Sequence, residues 1–173
     1  MEKSLSFKFE DLPREKLIKY AEFLLRHYRL VDAYWFLKVE DNLGLKTSTK
    51  FNEEIWTKLA EVSARDIMKY MGVKKGNLNN LIEAIKYFPW TIIANWKIEE
   101  QSSERVVIYA DKCPPQEARM KMGKKVFGCK DMELRLYKNF AKMFNSKIKV
   151  KCLNAPPDPK PDDCWCKFEF TLK

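Results

Sequence analysis

Hydrophobic periodicity changes near residue 88 of this chain, and that change narrows the folds open to it more than any other feature. Up to about residue 88, apolar side chains recur at intervals of three and four, the repeat of a helix with one buried face. Beyond that point alternation, the repeat of a strand, dominates and is interrupted by one further helix. Pro13, after Asp11-Leu12, sits where a first helical residue belongs, and Leu17, Tyr20, Ala21, Leu24 and Tyr28 then keep helical spacing. The stripe broadens from Leu30 to Val39, through Tyr34, Trp35, Phe36 and Leu37, until almost every side is apolar. A helix of that kind is buried, by its own domain or by a second subunit. Gly44 stops it. Asn52, followed by Glu53 and Glu54, predicts the start of a second helix that runs to about Met71 and stops at Gly72. A third spans Asn77 to about Phe88 and is closed by Pro89.

The alternating part starts with Ile92, Ala94, Trp96 and Ile98 on one face of a predicted strand. Gln101-Ser102-Ser103 turns the chain, and Val106, Ile108 and Ala110 line the returning strand. After a proline-containing connection, Asp131 to about Asn145 reads as a helix with Met132, Leu136, Phe140 and Met143 on one side. Ile148, Val150 and Cys152 mark a third strand; Cys164, Cys166, Phe168, Phe170 and Leu172 mark a fourth. The short stretch Ala155–Pro161 joins these two as a stiff loop. The expected fold is one α+β domain over residues 1–173. In it a helical N-terminal half packs on a four-stranded antiparallel sheet, with one further helix between strands 2 and 3.

Composition removes several classes of function. With 46% hydrophobic residues in 173, the chain can bury a real core. No apolar run approaches the roughly 20 residues that span a bilayer. Residues 1–10 lack the apolar stretch of an export signal, so a cytoplasmic protein with reduced thiols is expected and the five cysteines are not read as disulfides. The net charge of +9 is spread along the chain and interleaved with acids, and Lys147, Lys149 and Lys151 alternate as on a solvated strand face. We therefore expect neither nucleic acid nor membrane as a partner. The five glycines are scattered singly, so no phosphate-binding loop is present.

The direction of the chain places the cysteines. If strand 2 runs upward it ends near Cys113, and a short excursion reaches Cys129 at the start of the helix that carries the chain down again. Strand 3 rises to Cys152, and strand 4 descends from Cys164 and Cys166. All five thiols are thus expected at one pole of the domain. Cys129, at a helix N-terminus, is expected to favour its thiolate. Lys112, Arg119 and Lys130 would offset the charge of ionised thiols. The plainer alternative is that cysteine simply packs as a small hydrophobe. His27, the single histidine, could partner a cysteine only if its helix reaches that pole. Asp32 and Glu40, eight residues apart on the very apolar helix, are candidates for buried carboxylates.

These same segments resemble an uncharacterised family of prokaryotic cytosolic proteins. The resemblance lies in Cys113-Pro-Pro-Gln-Glu-Ala-Arg119, Gly128-Cys129-Lys130, Lys151-Cys152-Leu153 with Pro156-Pro157-Asp158-Pro159, and Trp165-Cys166-x-Phe-Glu-Phe170. Asp32-x-x-Trp35-Phe36-Leu37-x-Val39-Glu40 and Glu54-x-Trp56 are similar in the first half. More distantly, the layout resembles the 4-vinyl reductase domain and the 2-aminothiazoline-4-carboxylate hydrolase-like proteins. The resemblance implies a small-molecule- or metal-binding fold, often dimeric. It also implies a site resting on Cys113, Cys129, Cys152 and Cys166. Where relatives carry a second cysteine shortly after the position of Cys152, this chain has Asn154-Ala155, and Cys164 is a local addition.

Three readings of function are thereby open. In the first, the cysteine pole binds a small molecule or a metal, with Cys113, Cys129, Cys152 and Cys166 as ligands of zinc or an iron–sulfur centre. In the second, Cys129 or Cys113 is the nucleophile of a hydrolase or lyase acting on a small sulfur- or nitrogen-containing compound. In the third, the chain is a structural homodimer module with inert thiols, joined through the helix around Trp35.

Overall fold

The order of elements follows the periodicity closely. The computed structural model of the protein describes residues 6–161 and 164–172, and within these the chain forms a short 3-10 turn, six α-helices and four strands. The helices are α1 (Arg14–Leu43), α2 (Leu45–Met71), α3 (Leu78–Tyr87), α4 (Pro89–Ile93), α5 (Pro114–Lys121) and α6 (Lys130–Phe144). The strands are β1 (Lys97–Gln101), β2 (Arg105–Ala110), β3 (Lys149–Asn154) and β4 (Cys166–Thr171).

Local chemistry accounts for most boundaries. Gly44, at φ 83°, separates α1 from α2 in a conformation that side chains resist. Helix α2 begins directly after it, not at Asn52 as expected. Ser48, only 2% exposed, turns its hydroxyl back to the Leu45 carbonyl at 2.9 Å, so the chain is already packed as a helix there. Asn77 and Asn80 exchange side-chain-to-amide hydrogen bonds of 3.2 Å each, a reciprocal cap that starts α3. Pro89 opens a further turn of helix where a strand was expected. Proline is well suited to a first helical position, and the Ala94 amide donates to Trp90 at 2.9 Å. Ile92 and Ala94 are therefore not strand residues. Asn95, at φ 52°, turns the chain before β1. A second departure is α5, an additional helix between β2 and β3, begun by Pro114 and Pro115 at positions that need no amide hydrogen.

The sheet is antiparallel throughout, in the order β1-β2-β4-β3. The register pairs Val106 with Phe170, Ile108 with Phe168 and Ala110 with Cys166. All six are at most 4% exposed and form the inner face. Helix α6 lies in the interior, burying Met132, Leu136, Tyr137, Phe140 and Phe144. The Tyr137 ring stands 4.9 Å from Phe168 and 5.6 Å from Phe170, so it seals the helix to the sheet. Each fully buried aromatic or aliphatic side chain here contributes roughly 1.5–3 kcal/mol. Trp56, Ala60, Ala64 and Ile67, at helical spacing, are the buried side of α2, which packs along α6. The helical half thus reaches the sheet largely through α6.

Helix α1 departs most from expectation. It packs along α2, yet none of its 30 residues is buried. Tyr34 and Trp35 are 66% and 69% exposed. The apolar belt read as buried is therefore covered on one side only. Among the described residues, no helix is long and apolar enough to cross a membrane.

Candidate functional site

Where α1 and α2 meet α5, the start of α6 and the ends of β2 and β4, the packing leaves a cavity of about 420 Å³. Its formation follows from the cysteine-pole segments. Two prolines start α5 immediately after Cys113, and the fourth residue of that motif, Gln116, is fully buried. Gln116 Nε2 donates to the Phe127 carbonyl at 2.8 Å, and its Oε1 accepts from the Phe127 amide at 3.2 Å. The same nitrogen reaches Cys129 Sγ at 3.7 Å. One side chain therefore holds residues 127–129 against α5.

The proline loop holds the other side. The amides of Cys129 and Lys130 both donate to the Pro156 carbonyl at 2.9 Å. Gly128 faces Pro157, where an added Cβ would stand 3.3 Å from its ring. Asp158 accepts from Lys130 Nζ at 2.7 and 3.0 Å. Two of the amides at this helix start, those of Cys129 and Lys130, are thus already taken. Of the cations expected to balance thiolates, Lys130 is paired with Asp158 and Arg119 with Glu40, while Lys112 is exposed.

Cys113, Cys129 and Cys166 line the cavity; Cys152 and Cys164 do not. Cys152 faces inward on β3, half-buried, and is near enough to Cys129 and Lys130 to feel both charges. Burial pushes its thiol up to about 11. Burial also holds the Cys113 thiol far above its ordinary range. Cys166 is raised by its hydrogen bond with Cys129 and then by burial. Neutral thiols are the opposite of activated ones, so Cys113 is not set up as a nucleophile. Among the described residues no three Cys, His, Asp or Glu side chains converge as metal ligands. His27 is exposed on α1, its Nδ1 2.9 Å from the Phe23 carbonyl, and it is not part of the cavity wall. The conditional cysteine–histidine pair does not form.

Carboxyl groups are the chemically distinctive part of the wall. Asp32 of α1 accepts a hydrogen bond from the Trp56 indole, yet burial outweighs that bond and raises its pKa to about 6. The carboxyl of Glu133, one turn into α6, has no hydrogen bond or ion pair with any described residue, and burial raises it to about 7. Its solvent accessibility is intermediate because it faces the cavity, while protein surrounds it otherwise. Glu40, the other carboxylate singled out above, does different work. It takes Arg119 in a two-point pair of 2.5 and 3.1 Å that ties α1 to α5, and this bond lowers its pKa. Arg119 also lies 5.5 Å from both the Phe36 and Phe127 rings.

Glu133 escaped the sequence reading, although a signal existed. Placing Tyr137 and Phe144 beside Met132, Leu136 and Phe140 on a helical wheel moves the apolar arc over position 133. A carboxylate inside such an arc marks either a paired charge or a site. Gln116 could have been found as the polar residue in an otherwise helix-starting Cys-Pro-Pro-Gln segment. The tryptophans Trp56 and Trp90, which also line the cavity, meet only through tertiary packing, their rings 5.7 Å apart.

No curated protein matches the chain. A likeness to the 4-vinyl reductase domain or to the hydrolase-like proteins is not shown. One family model does match, over residues 10–172, which take in both the helical half and the sheet. The chain belongs to DUF6125, a family of unknown function.

Proposed function

We propose that this protein is a small-molecule-binding domain whose ligand occupies the cavity beside Cys113, Cys129 and Cys166. The cavity itself carries the reading. At about 420 Å³ it is the size of a small organic ligand, mostly apolar, with a few polar groups at its wall. A metal centre built on Cys113, Cys129, Cys152 and Cys166 is the alternative, and the two readings separate in one measurement. Protein purified without an affinity tag is screened by thermal shift against a diverse set of small molecules, and its zinc and iron are counted. We expect compounds that stabilise the wild type and lose that effect in Ala33→Phe, which fills the cavity from α1. Stoichiometric zinc or iron that falls in Cys129→Ser or Cys166→Ser, with no cavity-dependent compound, would put the metal reading in its place.

We propose further that the protein is a homodimer joined along α1. Leu17, Ala21, Leu24, Tyr28, Val31 and Trp35 follow one another at alternating steps of four and three, the seam of paired helices, and all six are exposed. Aromatic side chains bury roughly 150–250 Å² each when fully covered, so Tyr28 and Trp35 contribute part of the roughly 800 Å² per partner that a stable dimer needs. Sedimentation is expected to show a species of twice 20.6 kDa at micromolar concentration. Trp35→Glu is expected to halve it; a monomeric wild type would refute the dimer.

A further inference from the structure

The cavity wall combines two kinds of side chain that favour the same ligand. One is aromatic: Trp56, Trp90 and Phe88 line it, Trp56 lying between the other two at ring distances of 5.7 and 6.4 Å. Tyr28 stands behind them, 6.2 Å from Trp56 and 6.3 Å from Trp90. The buried Trp90 Nε1 has no hydrogen bond of normal geometry, although the Tyr28 hydroxyl lies close to it. The other is acidic: Asp32 lies beside this aromatic group, bonded to Trp56, and Glu133 faces the cavity from α6.

What these two carboxyl groups lack is a cation. Arg119, the best-buried positive charge on the wall, is already satisfied by Glu40. Arg29, Lys112 and Lys121 also border the cavity; the two lysines are exposed and Arg29 is half-buried, and none of the three forms an ion pair with Asp32 or Glu133. Enclosing two carboxyl groups in a mostly apolar wall without a counter-charge is costly, and a protein keeps such an arrangement where something else supplies the charge. Aromatic rings beside a carboxylate attract an ammonium group by ring electrostatics as well as by charge.

We infer that the ligand of this cavity is an organic cation, an amine or quaternary ammonium compound with an apolar body, its charge held by Asp32 or Glu133 against the tryptophan lining. This deepens the small-molecule reading above and rests on it. The sulfur atoms of Cys113, Cys129 and Cys166 then act as the soft part of the wall, where the apolar body lies.

The test titrates the full chain with benzyltrimethylammonium and with neopentylbenzene, its neutral carbon analogue, following tryptophan fluorescence and heat. Phenethylamine and phenylacetate extend the comparison to a primary ammonium and to an anion. We expect the two cations to bind at least ten-fold more tightly than the neutral analogue, and the anion to bind most weakly. Asp32→Asn or Glu133→Gln should weaken the cations several-fold and leave the neutral compound unchanged. Equal or tighter binding of the neutral or anionic probe would overturn the inference while leaving the small-molecule reading intact. So would cation affinity that neither substitution alters. Absence of any binding that Ala33→Phe abolishes, by charged or neutral probe, would remove the cavity as a site and this inference with it.

Discussion

Glu133→Gln is expected to stabilise the protein at pH 8 and to do little at pH 4. Burial raises the Glu133 carboxyl from its ordinary 4.5 to about 7. The folded protein therefore holds that proton more tightly than the unfolded chain does. The sign follows from this: stability associated with the group is fully present below 4.5, declines as the pH rises through about 7, and is then lost. A difference of this size corresponds to on the order of 3 kcal/mol, an upper value because the cavity-facing side of the carboxyl can be screened. Asp32, raised from 3.8 to about 6, adds a decline of the same sign at lower pH. Urea unfolding at pH 5 and pH 8 measures both. The wild type should be less stable at pH 8, and Glu133→Gln should flatten much of that slope. An unchanged slope in Glu133→Gln would mean that Glu133 is not desolvated as described. Cys113, Cys152, Cys166 and Tyr137 feel the Glu133 charge, but their own ionisation lies above this pH window.

The second large effect is expected at Glu40. Its carboxylate takes two hydrogen bonds from Arg119, whose side chain is only 5% exposed. Glu40→Ala leaves a guanidinium beside Phe36 and Phe127 with no counter-charge, and removing one partner of a buried pair costs about 3–5 kcal/mol. Glu40 lies near solvent and Lys124 also reaches it, so the lower end applies, about 3 kcal/mol by urea unfolding at pH 7. Arg119→Met, which removes the buried charge and keeps an apolar stem, should cost less. If Glu40→Ala were as mild as an ordinary surface change, the two-point pair would not be holding α5 to α1. The acid limb of stability also comes from here. The Glu40 pKa is lowered by Arg119, so its contribution is present above 4.5 and disappears as the pH falls through its folded value.

Local signals made much of this fold legible. Gly44, Gly72 and the Asn77 cap ended or began helices where expected, because each acts through its own backbone. The antiparallel pairing of β2 with β4 could not be read, since nothing local says that the last strand inserts beside the second. Ile92 and Ala94 misled because they continue the alternation of Trp96 and Ile98, which fits a strand, and Pro89 decided for helix. At the site, chain direction was sufficient to bring Cys113, Cys129 and Cys166 to one wall. It could not show that Glu133 stands among them, because a carboxylate within an apolar arc is recognised only when the whole arc is drawn. Nor could it show that Arg119 and Glu40, 79 residues apart, would find each other.

The strand order has a consequence for the behaviour of the protein in a crowded solution. It leaves β1 and β3 as the two edges, where unpaired backbone groups invite another chain to add on. Both edges carry an irregularity in register, between Ile98 and Glu100 on β1 and between Cys152 and Asn154 on β3. A bulge of this kind bends the strand away from straight pairing. On β3 the outward residues Lys149 and Lys151 are exposed, and a second copy laid along this edge would bring like charges together. Two of the chain's many lysines thus stand where they keep the β3 edge from templating a stack of sheets.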